Sequence, residues 1–297
     1  MVTTALTLTE IKHPDQDAEI SYHQLIGIDE QKTELLKNLT FLLDSKRIDK
    51  WAQKHHNEGI SLLLHLDTGT PLVILSGEVG CGKTALAQTI GTPLALSLGR
   101  PVKVFETPSN IRGSGMVGEI SNRITEAFEF VKSQLRHEEV GLLIIDEADD
   151  IATSRSQNQA HHEDRAGLNV LIKQLDGIKR SKKSIVVIMI TNRVTVLDPA
   201  IRRRTSLHLV FERPTGNKLI EVLRWLLLGT TYTEDDFKKL VDVATNRIPF
   251  SFSDLIHRAG KQAIFSAIER DVQFDIHILT EVLSKLTPTP LLDQLNK

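Results

Sequence analysis

Gly77-Glu78-Val79-Gly80-Cys81-Gly82-Lys83-Thr84 sets glycines, a lysine and a hydroxyl at the spacing G-x-x-x-x-G-K-T, directly after the apolar run Leu72-Val73-Ile74-Leu75. Glycines so placed let the backbone turn successive N–H groups inward around a phosphate. Lys83 is long enough to reach the outer phosphates of a nucleoside triphosphate, and the Thr84 hydroxyl is a ligand for Mg2+. Ala85-Leu86-Ala87-Gln88-Thr89-Ile90 reads as a helix, so the phosphates also meet the positive end of a helix dipole. Strand before and helix after distinguish this loop from an accidental glycine turn.

A second element of phosphate chemistry follows. Leu142-Leu143-Ile144-Ile145-Asp146-Glu147 is a buried strand ending in two acids. Asp146 is placed to complete the Mg2+ shell with Thr84, and Glu147 to polarise a water in line with the outer phosphate. Asp146-Glu147-Ala148-Asp149 also spells the acid motif of one helicase class, but such helicases need a second nucleotide-fold domain and only a short helical segment follows here. The strand Ile185–Ile190 runs into Thr191-Asn192, and Asn192 is the candidate amide for orienting the attacking water. Arg202-Arg203-Arg204 precede the last strand; three arginines are costly to bury, so they face solvent or the phosphates of another subunit.

These residues must be positioned by strands alternating with helices. Apolar, β-branched runs recur at residues 72–75, 102–105, 142–145, 185–190 and 207–211, which predicts a five-stranded parallel sheet covered by helices on both faces. After Arg213-Pro214-Thr215-Gly216 the pattern becomes helical, over 218–228, 234–245, 253–270 and 276–286. The expected organisation is a flexible or draped arm over residues 1–21, a large α/β domain over 22–213 and a small helical lid over 214–297.

Composition narrows the function classes. Lys+Arg number 36 against 38 Asp+Glu, so no global basic field favours nucleic acid. Cys81 is the single cysteine, which excludes an internal disulfide and suits the cytoplasm. No run of about 18 apolar residues is present and the first residues lack the pattern of a signal peptide, so no membrane role is expected. The 11 histidines have no partners at metal-ligand spacing.

Together these motifs resemble the AAA+ ATPases over nearly the whole chain, which implies ATP and Mg2+ as cofactors, ATP hydrolysis and a homo-hexameric ring. The resemblance implies that Ile26 and Gly27, within Leu25-Ile26-Gly27-Ile28-Asp29, hold the adenine, and that Arg203 and Arg204 act in trans as arginine fingers. It places a substrate-gripping pore loop at Met116-Val117-Gly118, where a glycine-rich surface loop is the alternative. The helix from Ala127 to Arg136 and the segment Arg165–Arg180 are similar to those of the pachytene-checkpoint ATPases, which act on HORMA-domain proteins. Stand-alone bacterial relatives of that group act in nucleotidyltransferase-based antiphage (CBASS) signalling, which implies a HORMA protein, free or bound to its nucleotidyltransferase, as partner. A nucleotide-dependent loader on DNA is the second reading. The lid sensor arginine of such relatives has no counterpart in Pro249-Phe250-Ser251-Phe252-Ser253-Asp254, and Arg258, about one turn onward, is the substitute to be considered.

Overall fold

The computed structural model describes residues 6–56, 60–65, 70–108, 111, 118–153, 162–181, 183–246 and 248–292. The β-branched runs become strands, and one further strand precedes them: β1 (Thr9–His13), β2 (Leu72–Gly77), β3 (Val102–Glu106), β4 (Val140–Ile145), β5 (Ser184–Thr191) and β6 (Leu207–Phe211). They form one sheet in the order β1-β3-β4-β5-β2-β6. The pairs β3–β4, β4–β5 and β5–β2 are parallel, with Ile145 opposite Met189 and Ser76 opposite Thr191. Parallel pairing brings the carboxyl ends of β2, β4 and β5 to one edge, the usual position of a ligand site in an open α/β sheet.

Burial explains why these strands are apolar at nearly every position. Leu72, Ile74, Leu143, Ile145, Val187 and Met189 share one core with two helices. Val73, Leu75, Leu142, Ile144, Val186 and Ile188 point the other way and are equally buried, so both faces are covered. The first of those helices, Glu119–Gln134, buries Ile120, Ile124, Phe128 and Val131 on one stripe. It starts earlier than the expected Ala127 and ends two residues before Arg136. Leu135 leaves it in extended conformation and packs on Gly141, where an added Cβ would stand 2.8 Å from the leucine. The second helix, His162–Arg180, contributes Leu168, Leu171, Leu175 and Ile178.

Two expectations need correction. The sheet has six strands, not five, and its added edge strand is antiparallel. Residues 9–13, read as part of a flexible or draped arm, pair with β3 from Thr9 opposite Glu106 to His13 opposite Val102, and a helix follows at Gln16–Gln24. Thr-Glu-Ile-Lys-His has too few apolar positions to announce a strand; its pairing satisfies the backbone groups of an otherwise open edge.

The chain divides into two compact units. The second gathers Leu25–Asp29, Gly77–Lys83 and the chain from Phe211 onward, and the rest forms the first. Helices of the second unit span Gly216–Leu226, Glu234–Thr245, Lys261–Glu269 and Ile276–Lys285, with a π-helical stretch at Asp254–Gly260. Thr233 and Asp275 cap two of them by accepting from the Asp236 and Ile278 N–H groups. Among the described residues no helix is long and apolar enough to cross a membrane.

Candidate functional site

The phosphate loop has the left-handed turns its glycines allow. Gly77, Gly80 and Gly82 have φ of 121°, 71° and 89°. At Gly77 a Cβ would stand 2.1 Å from the Phe211 carbonyl oxygen, so no other residue fits. Lys83 is buried, and its Nζ donates to the Gly77 and Glu78 carbonyls at 2.8 and 2.7 Å. The ammonium thus lies folded into the loop that would curl around a phosphate. Val79 is exposed at the turn, whereas Cys81 is buried. Burial pushes the Cys81 thiol up to about 11 despite the nearby Lys83 charge, so it is a neutral packing group.

Glu78, which the motif leaves unspecified, anchors the loop. Its carboxylate accepts from Arg213 Nη2 at 2.9 Å and Nε at 3.1 Å. Arg213 is itself buried and donates further to the carbonyls of Pro249, Thr289 and Pro290. Sequence reasoning missed this clamp; its one trace is a charged residue directly after a buried strand. On the same unit, Gly80 O accepts from Ser253 N at 3.0 Å. Gly27 (φ 74°) approaches so closely that a Cβ would meet the Phe252 ring at 2.9 Å. Ile28 is buried and Ile26 half-buried beside it, so the leading segment is apolar where Gly27 approaches the Phe252 ring.

Thr84 and Asp146 are brought together as their chemistry requires: the hydroxyl donates to Asp146 Oδ2 at 2.7 Å. Asp146 Oδ1 accepts from the Glu147 N–H at 2.8 Å. Glu147 is exposed and holds φ at 50°, a left-handed conformation uncommon for a non-glycine residue and worth about 1 kcal/mol of strain. Asn192 is exposed at the end of β5.

The arginines separate. Pro199–Arg202 is a short helix capped by Asp198; Arg202 at its end and Arg203 just beyond it are exposed. Arg204 instead binds Asp176 of its own chain through two hydrogen bonds, which raise its already high pKa. Arg258 is bound to Asp254 and to the Thr289 hydroxyl within the helical unit. Of the pore-loop candidates, Met116 and Val117 lie outside the described residues. Gly118 is the N-cap of helix Glu119–Gln134, at φ 80°.

Mg-ATP fits what is present. The loop offers a glycine cradle with a cation inside it, and Thr84 with Asp146 offers the hard oxygen pair that Mg2+ takes. Among the described residues no group of three or more His, Cys, Asp or Glu could hold another metal.

Residues 73–213 match the family described as "ATPase family associated with various cellular activities (AAA)". CD-NTase-associated protein 6 of Escherichia coli strain MS 115-1 is 35% identical over 94% of each chain. A chain of the E. coli MS115-1 HORMA:CdnC:Trip13 complex superposes with a TM-score of 0.87 at 34% identity, covering 95% of this chain and 96% of that one. Rhizobiales Trip13 gives a TM-score of 0.72 at 27% identity over 95% and 98%.

Proposed function

Because the chain belongs to the AAA family of ATPases, within its CD-NTase-associated protein 6, Trip13-like group, we propose that it is an ATP-driven remodeller of a HORMA-domain protein. The observation that carries this reading is similarity over nearly the full length of both chains to a chain of the E. coli HORMA:CdnC:Trip13 complex. In that role it takes a HORMA activator apart from its nucleotidyltransferase and keeps CBASS signalling quiet, in the cytoplasm.

When bound, Mg-ATP supplies a transferable γ-phosphoryl group. Lys83 exchanges the Gly77 and Glu78 carbonyls for phosphate oxygens, a charge-assisted contact stronger than those it leaves. Thr84 and Asp146 would hold the metal. Glu147 accepts the proton of the attacking water and Asn192 orients that water. Ile26, Gly27 and Phe252 would hold the adenine. Arg203 and Arg204 of a neighbouring copy complete the site, which makes a ring the working form, and Met116, Val117 and Gly118 grip the client segment.

A homo-hexamer is supported by two apolar faces on this chain. One is a groove of about 620 Å³ in the first unit, lined by Leu36, Phe41, Ile48, Trp51, Leu62 and Leu63. The other is a stripe on the second unit, where Ile264, Phe265, Ile268 and Val272 are all at least 44% exposed. Apolar faces of this kind on a protein surface mark interfaces. A groove and a stripe on different parts of one chain suit a head-to-tail contact between copies, which closes into a ring where the rotation between them closes.

The test is ATP turnover of the purified chain alone, with a HORMA–nucleotidyltransferase complex, and with single-stranded or duplex DNA, using Glu147→Gln as the blank. Stimulation by the HORMA complex is expected. Stimulation by DNA alone would replace the remodeller with a DNA loader.

A further inference from the structure

Asp149 has no part in the phosphate chemistry described above, yet both of its carboxylate oxygens are hydrogen-bonded. It stands two residues after Glu147, with its side chain 12% exposed. Its Oδ1 accepts from the Thr191 hydroxyl at 2.7 Å, and its Oδ2 accepts from Arg193 Nε at 3.0 Å. Thr191 Oγ1 in turn accepts from the Arg193 N–H at 2.9 Å. One carboxylate therefore holds both residues that flank Asn192. The same turn is tied to β5 through its backbone, since the Ala148 N–H donates to the Ile190 carbonyl at 2.8 Å. Helix-dipole stabilisation does not explain the acid, because the helix it opens, Asp149–Ala152, has only four residues.

We propose that Asp149 is a positioning residue for hydrolysis, fixing the Glu147 turn against the Thr191–Arg193 segment so that Glu147 and Asn192 address the same water. This rests on the ATPase reading above. Glu147 needs such a brace: it is exposed and its φ is left-handed, with its N–H donating to Asp146 Oδ1 and its carbonyl accepting from the Asp150 N–H. Strain of this kind persists only where surrounding structure over-determines the conformation. Base and orienting amide come from different strands, and a misplacement of about 1 Å costs on the order of a hundredfold in rate. Arg193, half-exposed, serves as the counter-charge that keeps the carboxylate turned to β5.

The experiment compares Asp149→Ala, Asp149→Asn, Arg193→Ala and Arg193→Lys with the unaltered full-length chain. It reads kcat and KM for ATP, affinity for a non-hydrolysable ATP analogue with Mg2+, and the melting midpoint. Asp149→Asn keeps the side-chain volume, so the test survives if the alanine variant does not fold. Expected is a loss in kcat of about tenfold to a hundredfold, analogue affinity within about twofold of the unaltered chain, and recovery in Arg193→Lys of much of what Arg193→Ala loses. Unchanged kcat in both Asp149 variants overturns the proposal, as does a loss of analogue affinity and melting midpoint in step with kcat. An unaltered chain with neither turnover nor analogue binding overturns the ATPase reading itself, a result these variants would not mimic.

Discussion

Arg204 grips both carboxylate oxygens of Asp176 on its own chain, Nε to Oδ1 at 2.9 Å and Nη2 to Oδ2 at 3.1 Å. An arginine proposed to reach a neighbour's phosphates is thus held at home by a partner 40% exposed to water. A pair so exposed is worth about 1 kcal/mol or less, so a phosphate can take the guanidinium at small cost.

Arg204→Ala should therefore lower ATP turnover about a thousandfold while leaving nucleotide affinity intact. Mixing Arg204→Ala subunits with Lys83→Ala subunits should restore part of that turnover, because a site lacking its neighbour's arginine then meets a subunit that has one. A mixture as inactive as its components would show that Arg204 acts within its own chain.

Cys81 sits inside the phosphate loop but should resist alkylation. Burial raises its pKa from 9.0 to about 11, so at neutral pH the reactive thiolate is about a hundredfold scarcer than in an unperturbed thiol. Iodoacetamide at pH 7.5, followed by intact mass, should label the native chain slowly and the guanidinium-unfolded chain quickly. Fast labelling of the native chain would contradict the burial of the loop's interior.

His13 should make stability fall with acid. Its ring is buried against Gly91, Nδ1 shares a hydrogen bond with Thr92 Oγ1 at 2.9 Å, and Nε2 has no partner among the described residues. Burial lowers its pKa below 6.5, with Asp15 opposing. The folded chain then takes up this proton less readily than the unfolded chain, so the contribution is present above about pH 6.5 and is lost as pH falls below it. The melting midpoint of the unaltered chain should drop between pH 7 and pH 5 by more than that of His13→Asn.

Trp51 in the groove and Ile268 on the helical stripe, 47% and 68% exposed, should both be needed for the ring. Glutamate at either place leaves a charge without a partner in the interface, at a cost of several kcal/mol. Light scattering behind size exclusion should show smaller species for Trp51→Glu and for Ile268→Glu, each with its own fold preserved by circular dichroism. If both variants keep the oligomeric state of the unaltered chain, the contact lies elsewhere.

Local pattern made much of this protein legible as sequence. Leu207–Phe211 is a strand over the residues expected, and Glu234–Thr245 a helix, because strand and helix periods are written in near neighbours. The phosphate loop was equally legible, since glycine φ, lysine reach and hydroxyl position are properties of eight consecutive residues. Thr84 and Asp146 meet because each follows directly from the end of a buried parallel strand or its loop, and parallel strands align their ends.

What only the tertiary structure decided are the long-range polar pairs. Arg213 with Glu78, Arg204 with Asp176, and Asp149 with Thr191 and Arg193 join residues that are, taken singly, ordinary surface types. Nothing in their own windows distinguishes them from solvated charges. The edge strand Thr9–His13 has the same origin: its partner, β3, lies about ninety residues away, and hydrogen bonds to a distant backbone leave no periodicity in the five residues that make them.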